Sequence, residues 1–122
     1  MSADDLIGLA DSAGDRAGCP RCAALVCKGW ESVPGGYDRA NLKCVGSLRD
    51  PNDEDPTVAE YHPDRTHGWS ADAPIALGWF PYNRCDVWQC VGCGRPFLRY
   101  TEFGGYYNDE RVRELQPRLI VA

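Results

Sequence analysis

Two pairs of cysteines carry the most chemistry in this 122-residue chain: Cys19-Pro20-Arg21-Cys22 near its start and Cys90-Val91-Gly92-Cys93-Gly94 toward its end. Cysteines three positions apart on a tight turn aim both sulfurs at a common point, and the turn's N–H groups face those sulfurs. Four thiolates from two such hooks fit one tetrahedral zinc ion, and iron fits the same sulfur cage. Gly94 suits the second hook, because a residue without Cβ leaves the turn with positive φ. The expected metal ligands are therefore Cys19, Cys22, Cys90 and Cys93. Zinc held by four cysteines has no open position for water and activates no nucleophile, so the expected role is structural.

The pattern C-P-x-C followed by C-x-x-C-G resembles the knuckles of zinc-ribbon proteins. That resemblance implies four zinc ligands in a β-hairpin-rich surround and no particular activity. Two features depart from it. Ala23-Ala24 follow the first knuckle with no glycine, and 67 residues lie between Cys22 and Cys90, where about 15 to 20 are usual. The metal would then clasp the two ends of a long insertion.

A disulfide framework and a redox C-x-x-C are the competing readings. Seven cysteines is an odd number, and Met1-Ser2-Ala3-Asp4-Asp5 lacks the basic start and apolar core of a signal peptide. The expectation is a cytoplasmic protein in a reducing compartment, where thiols bind metals more often than they pair. Cys27, Cys44 and Cys85, with His62 and His67, supply ligand types for a second metal site, or a nucleophile and base for a small enzyme around Cys85 and Asp86. Their spacing is diagnostic of neither. His62-Pro63-Asp64 with Cys90-x-x-Cys93 partly matches a zinc deaminase signature, but Asp64 replaces its glutamate and Gln89 its proline.

Charge narrows the class of partner. The formal net charge is -5, and nucleic-acid binding normally rests on a basic patch. Seven of the acidic residues (Asp50, Asp53, Glu54, Asp55, Glu60, Asp64 and Asp72) lie in one stretch with Arg65 as its lone arginine or lysine. Such a lobe steers a basic partner toward it. The expected function is a non-catalytic, zinc-binding protein-interaction module with a basic-surfaced partner protein. One concrete version is a bacterial immunity-like inhibitor of a basic toxin. Two alternatives stand: a nucleic-acid-binding ribbon that stacks bases on Tyr100, Phe103, Tyr106 and Tyr107 beside Arg99, and the small enzyme using His62, His67 and Cys85.

The elements that must position the knuckles are short. Nine prolines and thirteen glycines break the chain, and no apolar run approaches the roughly 18 residues of a membrane span. The fold class expected is α+β, a mostly antiparallel β single domain with a zinc-ribbon clasp and a long insertion, comprising an N-terminal helix and loop (1–18) and an exposed acidic loop (49–56). A short helix fits 4–10 behind Ser2 as N-cap. Strands fit 23–26, 41–46, 57–61, a central 75–80, 87–89 into the second knuckle, 97–103 out of it and 119–121. Pro34-Gly35-Gly36, Gly104-Gly105 and Asn108-Asp109 fit turns, with a return strand starting at Tyr106-Tyr107. Whether the aromatics between Trp69 and Trp88 form core or binding surface is open.

Overall fold

Ser2 caps the first helix by a reciprocal exchange of hydrogen bonds. In the computed structural model, which describes residues 1–13, 19–25, 28–103, 106 and 108–121, its Oγ accepts from the Asp5 N–H at 3.2 Å. The Asp5 carboxylate accepts from the Ser2 N–H at 2.9 Å. This capping box satisfies two donors that a helix start would leave unpaired, and those bonds hold the Asp5 carboxyl below its usual pKa. Helix α1 spans Ala3–Ala13, longer than the sequence suggested. It seats Leu6 fully in the core, with Leu9 and Ala10 beside it.

The main sheet is built from β1 (Glu31–Ser32), β2 (Leu42–Ser47), β4 (Asp86–Cys90), β5 (Pro96–Phe103) and β6 (Asn108–Glu114). Its order is β1-β6-β5-β4-β2, and every neighbouring pair is antiparallel. A separate pair, β3 (Ile75–Ala76) and β7 (Ile120–Val121), is parallel. The architecture is thus a mostly antiparallel β sheet with one helix among the described residues, in the expected α+β class.

Register places a different core on each face of the main sheet. On one face Val87, Leu98 and Tyr100 meet Leu6, Trp30, Ile75, Tyr82, Cys85 and Leu115. On the other, Leu42, Cys90, Phe97 and Val112 meet Cys22, Leu25 and Cys93. The alternation read along 97–103 holds: Phe97, Arg99 and Thr101 pair across to Glu114, Val112 and Glu110, while Leu98 and Tyr100 pair to Arg113 and Arg111.

Several expected elements differ. Ala23–Leu25 is a 3₁₀ turn rather than a strand, because the Leu25 N–H bonds back to Cys22 O at 2.9 Å and buries the side chain beneath the knuckle. Residues 57–61 form no strand. Their carbonyls are taken by Asn83 Nδ2 (to Thr57 O, 2.8 Å) and the Phe80 N–H (to Ala59 O, 2.9 Å), while Val58 points outward. The proposed central strand 75–80 is ordered as β only at Ile75–Ala76. There the Trp79 N–H turns back to Ala76 O at 3.0 Å, next to Gly78 and Pro81. Asn108-Asp109 opens β6 instead of a turn, and at the C-terminal end only Ile120–Val121 is strand, in the smaller pair. Val26, Cys27, Gly104, Gly105 and Tyr107 lie outside the described residues.

Candidate metal centre

The second knuckle is the loop of the β4–β5 hairpin. Cys90 closes β4, its N–H bonding to Arg95 O at 3.0 Å, while the Gly94 N–H bonds back to Cys90 O at 2.9 Å. Gly94 sits at φ +80, the conformation anticipated for it. Gln89 closes the same loop from its side chain, donating to Gly94 O at 3.1 Å. Gly94→Ala should therefore cost about 1–2 kcal/mol, the penalty of a Cβ in left-handed backbone. A melting-temperature comparison of the two proteins checks this, and an unchanged melting temperature would refute it.

Among the described residues no strand adjoins the first knuckle, and the hairpin surround is seen at the second. Residues 19–22 follow α1 and enter the 3₁₀ turn at 23–25. A connecting segment braces both knuckles. The turn at Pro34–Tyr37, with Gly36 at φ +78, delivers Tyr37, whose hydroxyl donates to Arg21 O at 2.6 Å. Four residues on, Asn41 O accepts from the Val91 N–H of the second knuckle at 2.9 Å. Sequence reasoning missed Tyr37 and Asn41 because a bracing contact leaves no spacing signal.

The four sulfurs converge. All of Cys19, Cys22, Cys90 and Cys93 have Sγ atoms within 4.8 Å of one another. Cys19 and Cys90 approach to 3.8 Å, and Cys22 and Cys93 to 3.5 Å. A tetrahedral site with Zn–S near 2.3 Å has sulfurs about 3.8 Å apart. Cys22, Cys90 and Cys93 are buried and Cys19 is half-buried. Gly92 faces the first knuckle: a Cβ there would touch Cys19 Sγ at 3.5 Å and displace the flexible end of Arg21.

Electrostatics divide the set. The Arg21 main-chain N–H bonded to Cys19 lowers that thiol to about 7, with smaller help from the neighbouring cysteines. Burial pushes Cys22 and Cys93 up, and the Arg95 N–H partly offsets this at Cys93. Buried thiols of this kind ionise when a cation is close enough to repay the lost hydration. The donor chemistry, the distances and the N–H groups facing the sulfurs fit a divalent metal ion.

Cys85, His62, His67 and Cys44 each have hydrogen-bond partners outside the knuckles. Cys85 is fully buried, donates to Pro81 O at 3.3 Å, and is held well above the usual thiol pKa by burial. His62 is bonded through Nδ1 to Thr66 Oγ1 (2.7 Å) and through Nε2 to Glu60 Oε1 (3.1 Å). His67 Nδ1 accepts from the Trp69 N–H at 3.2 Å. Cys44 is exposed and bonds to Gly46 O at 3.5 Å. Among the described residues, the four knuckle cysteines are the group of metal-ligating side chains close enough to share an ion.

The aromatic stretch divides between core and surface. Tyr82 is core, Phe80 packs on it, and Trp69 and Trp79 are exposed. Trp88 is covered by the Arg99 guanidinium, 4.4 Å from the ring centroid. No helix among the described residues is long and apolar enough to cross a membrane. Comparison of the chain with family models, curated proteins and solved structures finds no match.

Proposed function

We propose that this chain is a non-catalytic binding module, clasped by one structural zinc ion at Cys19, Cys22, Cys90 and Cys93, whose acidic face engages a basic surface on another protein. The observation that carries the reading is the closed thiolate set. Four sulfurs from two distant segments supply every position of a tetrahedral ion and leave none for substrate. The acidic half of the reading rests on charge and exposure. All seven carboxylates between Asp50 and Asp72 are exposed, and complementary charge speeds capture of a basic partner. A bacterial immunity-like inhibitor of a basic toxin is one version that this charge and size support.

The competing readings have less behind them. For single-stranded nucleic acid, Phe103 and Tyr106 are exposed for stacking, but Tyr100 is buried and Arg39 and Arg99 are both paired to Glu110. For catalysis, the buried, bonded Cys85 is a poor nucleophile.

Two measurements test the proposal. Freshly purified protein should contain one zinc per chain; iron in its place would keep the clasp and replace the metal. Elution from immobilised polylysine tests the acidic lobe. Reversing Asp53, Glu54 and Asp55 to lysine should move elution to much lower salt than reversing the exposed Asp4, Asp11 and Glu31, which changes net charge equally. Equal shifts for the two triple variants would sink the lobe as the binding face.

A further inference from the structure

We infer that the cavity between the acidic loop and the turn at Leu77 and Gly78 receives one lysine or arginine side chain of the partner protein, while an apolar residue of the same partner segment rests on Trp79 and Val58 beside it. The inference rests on the interaction reading above and gives it a place on the molecule. The cavity holds about 300 Å³, at the lower end of the roughly 300–1,000 Å³ of ligand sites. That is room for a single long side chain. Leu48, Pro56 and Leu77 give it apolar walls, Asp50 and Asp53 give it carboxylates, and no lysine, arginine or histidine lines it.

Both carboxylates are open to a ligand. Asp50 and Asp53 are exposed, and the loop engages one oxygen of each: Asp50 Oδ1 accepts from the Asn52 N–H at 2.9 Å and Asp53 Oδ1 from the Asp55 N–H at 3.1 Å. Neither belongs to a described ion pair, so the second oxygen of each can take a cation from outside. The neighbouring Arg49 is engaged by the fold itself, donating to Arg84 O at 3.2 Å and pairing with Asp86 at 3.3 Å. Lysine and arginine lay their methylenes along apolar surface and keep the charged head in water. Apolar walls beneath solvent-facing carboxylates match that division. An acidic side chain would be repelled by the same two charges.

The surface beside the cavity is apolar. Trp79 follows Gly78, is 40% exposed, and packs its ring on Tyr61 with 5.6 Å between centroids. Val58, two residues after Pro56, is 74% exposed. Ala59 O accepts from the Phe80 N–H and Thr57 O from Asn83 Nδ2, which ties the segment bearing Val58 to the one bearing Trp79. Large side chains already held in place lose little freedom when a partner covers them, and tryptophan is enriched among interface anchors. Charge selects the partner: from Asp50 to Asn83 the chain carries seven carboxylates and Arg65 as its lone arginine or lysine.

The test is a titration of ¹⁵N-labelled full chain with a capped leucine-lysine-leucine peptide, compared with counterparts that carry glutamate or norleucine in place of lysine. The lysine peptide should shift the Leu77, Gly78 and Trp79 backbone amides and the Trp79 indole N–H saturably, and the other two should not at the same concentration. The double variant Asp50→Asn/Asp53→Asn keeps the Oδ1 acceptors of the loop and should weaken binding about 3- to 10-fold, the worth of two exposed ion pairs. Val58→Ser, at an exposed position, should weaken it about 3-fold. Asp64→Asn/Asp72→Asn changes net charge equally and should leave the affinity unchanged. Equal losses in the two double variants, or shifts confined to Glu54, Asp64 and Asp72, would overturn this site while leaving the acidic-face reading intact. Equal affinity for the norleucine peptide would overturn the cation as the ligand, and an unaffected Val58→Ser would overturn the apolar contact beside it. No saturable shift with the lysine peptide anywhere would remove both the site and the reading beneath it.

Discussion

Cys90→Ser is expected to abolish stoichiometric metal binding and leave most of the chain unfolded at room temperature, whereas Cys44→Ser changes stability by no more than about 0.5 kcal/mol. The difference comes from position. Cys90 ends β4, sits at 1% exposure among Phe97, Leu42 and Val112, and lies 3.8 Å from Cys19 across the gap that the metal would close. Structural zinc sites contribute on the order of 10–16 kcal/mol of apparent binding free energy, against about 5–15 kcal/mol of net stability for a whole domain. The clasp also closes a loop running from the first knuckle to the second, whose chain entropy is on the order of 4 kcal/mol. Cys44 is exposed and holds only a long bond to Gly46 O. Thermal melts of wild type, Cys90→Ser, Cys19→Ser and Cys44→Ser, each with and without a chelator, check the expectation. Chelated wild type should melt with the two ligand variants. Equal melting temperatures for all four proteins would show that the fold stands without the ion, on its two apolar cores alone.

The residues that were legible in the sequence are those whose role is set by local geometry. A cysteine pair three positions apart, a glycine after it and a serine with an aspartate three residues on each specify a turn or a cap without help from the rest of the chain. Strand alternation along 97–103 was legible for the same reason, since period two needs only the strand itself. The segment 57–61 misled because its β-branched and aromatic residues satisfy a propensity, while its carbonyls are claimed by Asn83 and Phe80, more than twenty residues away. Ile75 to Phe80 misled in a similar way. Its apolar residues are wanted by the core, but Ala76 O accepts from the Trp79 N–H and ends the strand after two residues. Tyr37 and Asn41 brace the candidate metal centre only through contacts with a knuckle distant in sequence. A single sequence gives no sign of such contacts.

Arg113→Met is expected to destabilise the protein by several kcal/mol, the largest loss predicted for any residue outside the metal centre. Arg113 is completely buried on β6, on the face opposite the sulfurs. An arginine stays charged at any ordinary pH, and no carboxylate pairs with it among the described ion pairs. Its guanidinium is neutralised instead by oxygens with partial charge: Lys28 O at 2.9 Å, Ala73 O at 2.8 Å, Ala71 O at 3.2 Å and the Tyr82 hydroxyl. These acceptors lie in three separate stretches, so one side chain fixes the insertion and the segment after the first knuckle against the sheet. Methionine would fill similar volume and leave Ala71 O, Ala73 O and Tyr82 Oη without that donor, at about 1–3 kcal/mol for each that water cannot reach. Lys28 O would keep the Gln116 side chain, which donates to it at 2.6 Å. Lysine is no remedy, because its compact ammonium cannot span the fork of acceptors that a planar guanidinium reaches. Tyr82→Phe removes one partner and should cost about 1 kcal/mol. The double variant Arg113→Met/Tyr82→Phe should then lose less than the two single losses added together. Urea denaturation of the three variants measures this. Strict additivity would mean that the hydroxyl and the guanidinium stabilise the fold independently, and a loss below about 1 kcal/mol for Arg113→Met would mean that water replaces its bonds.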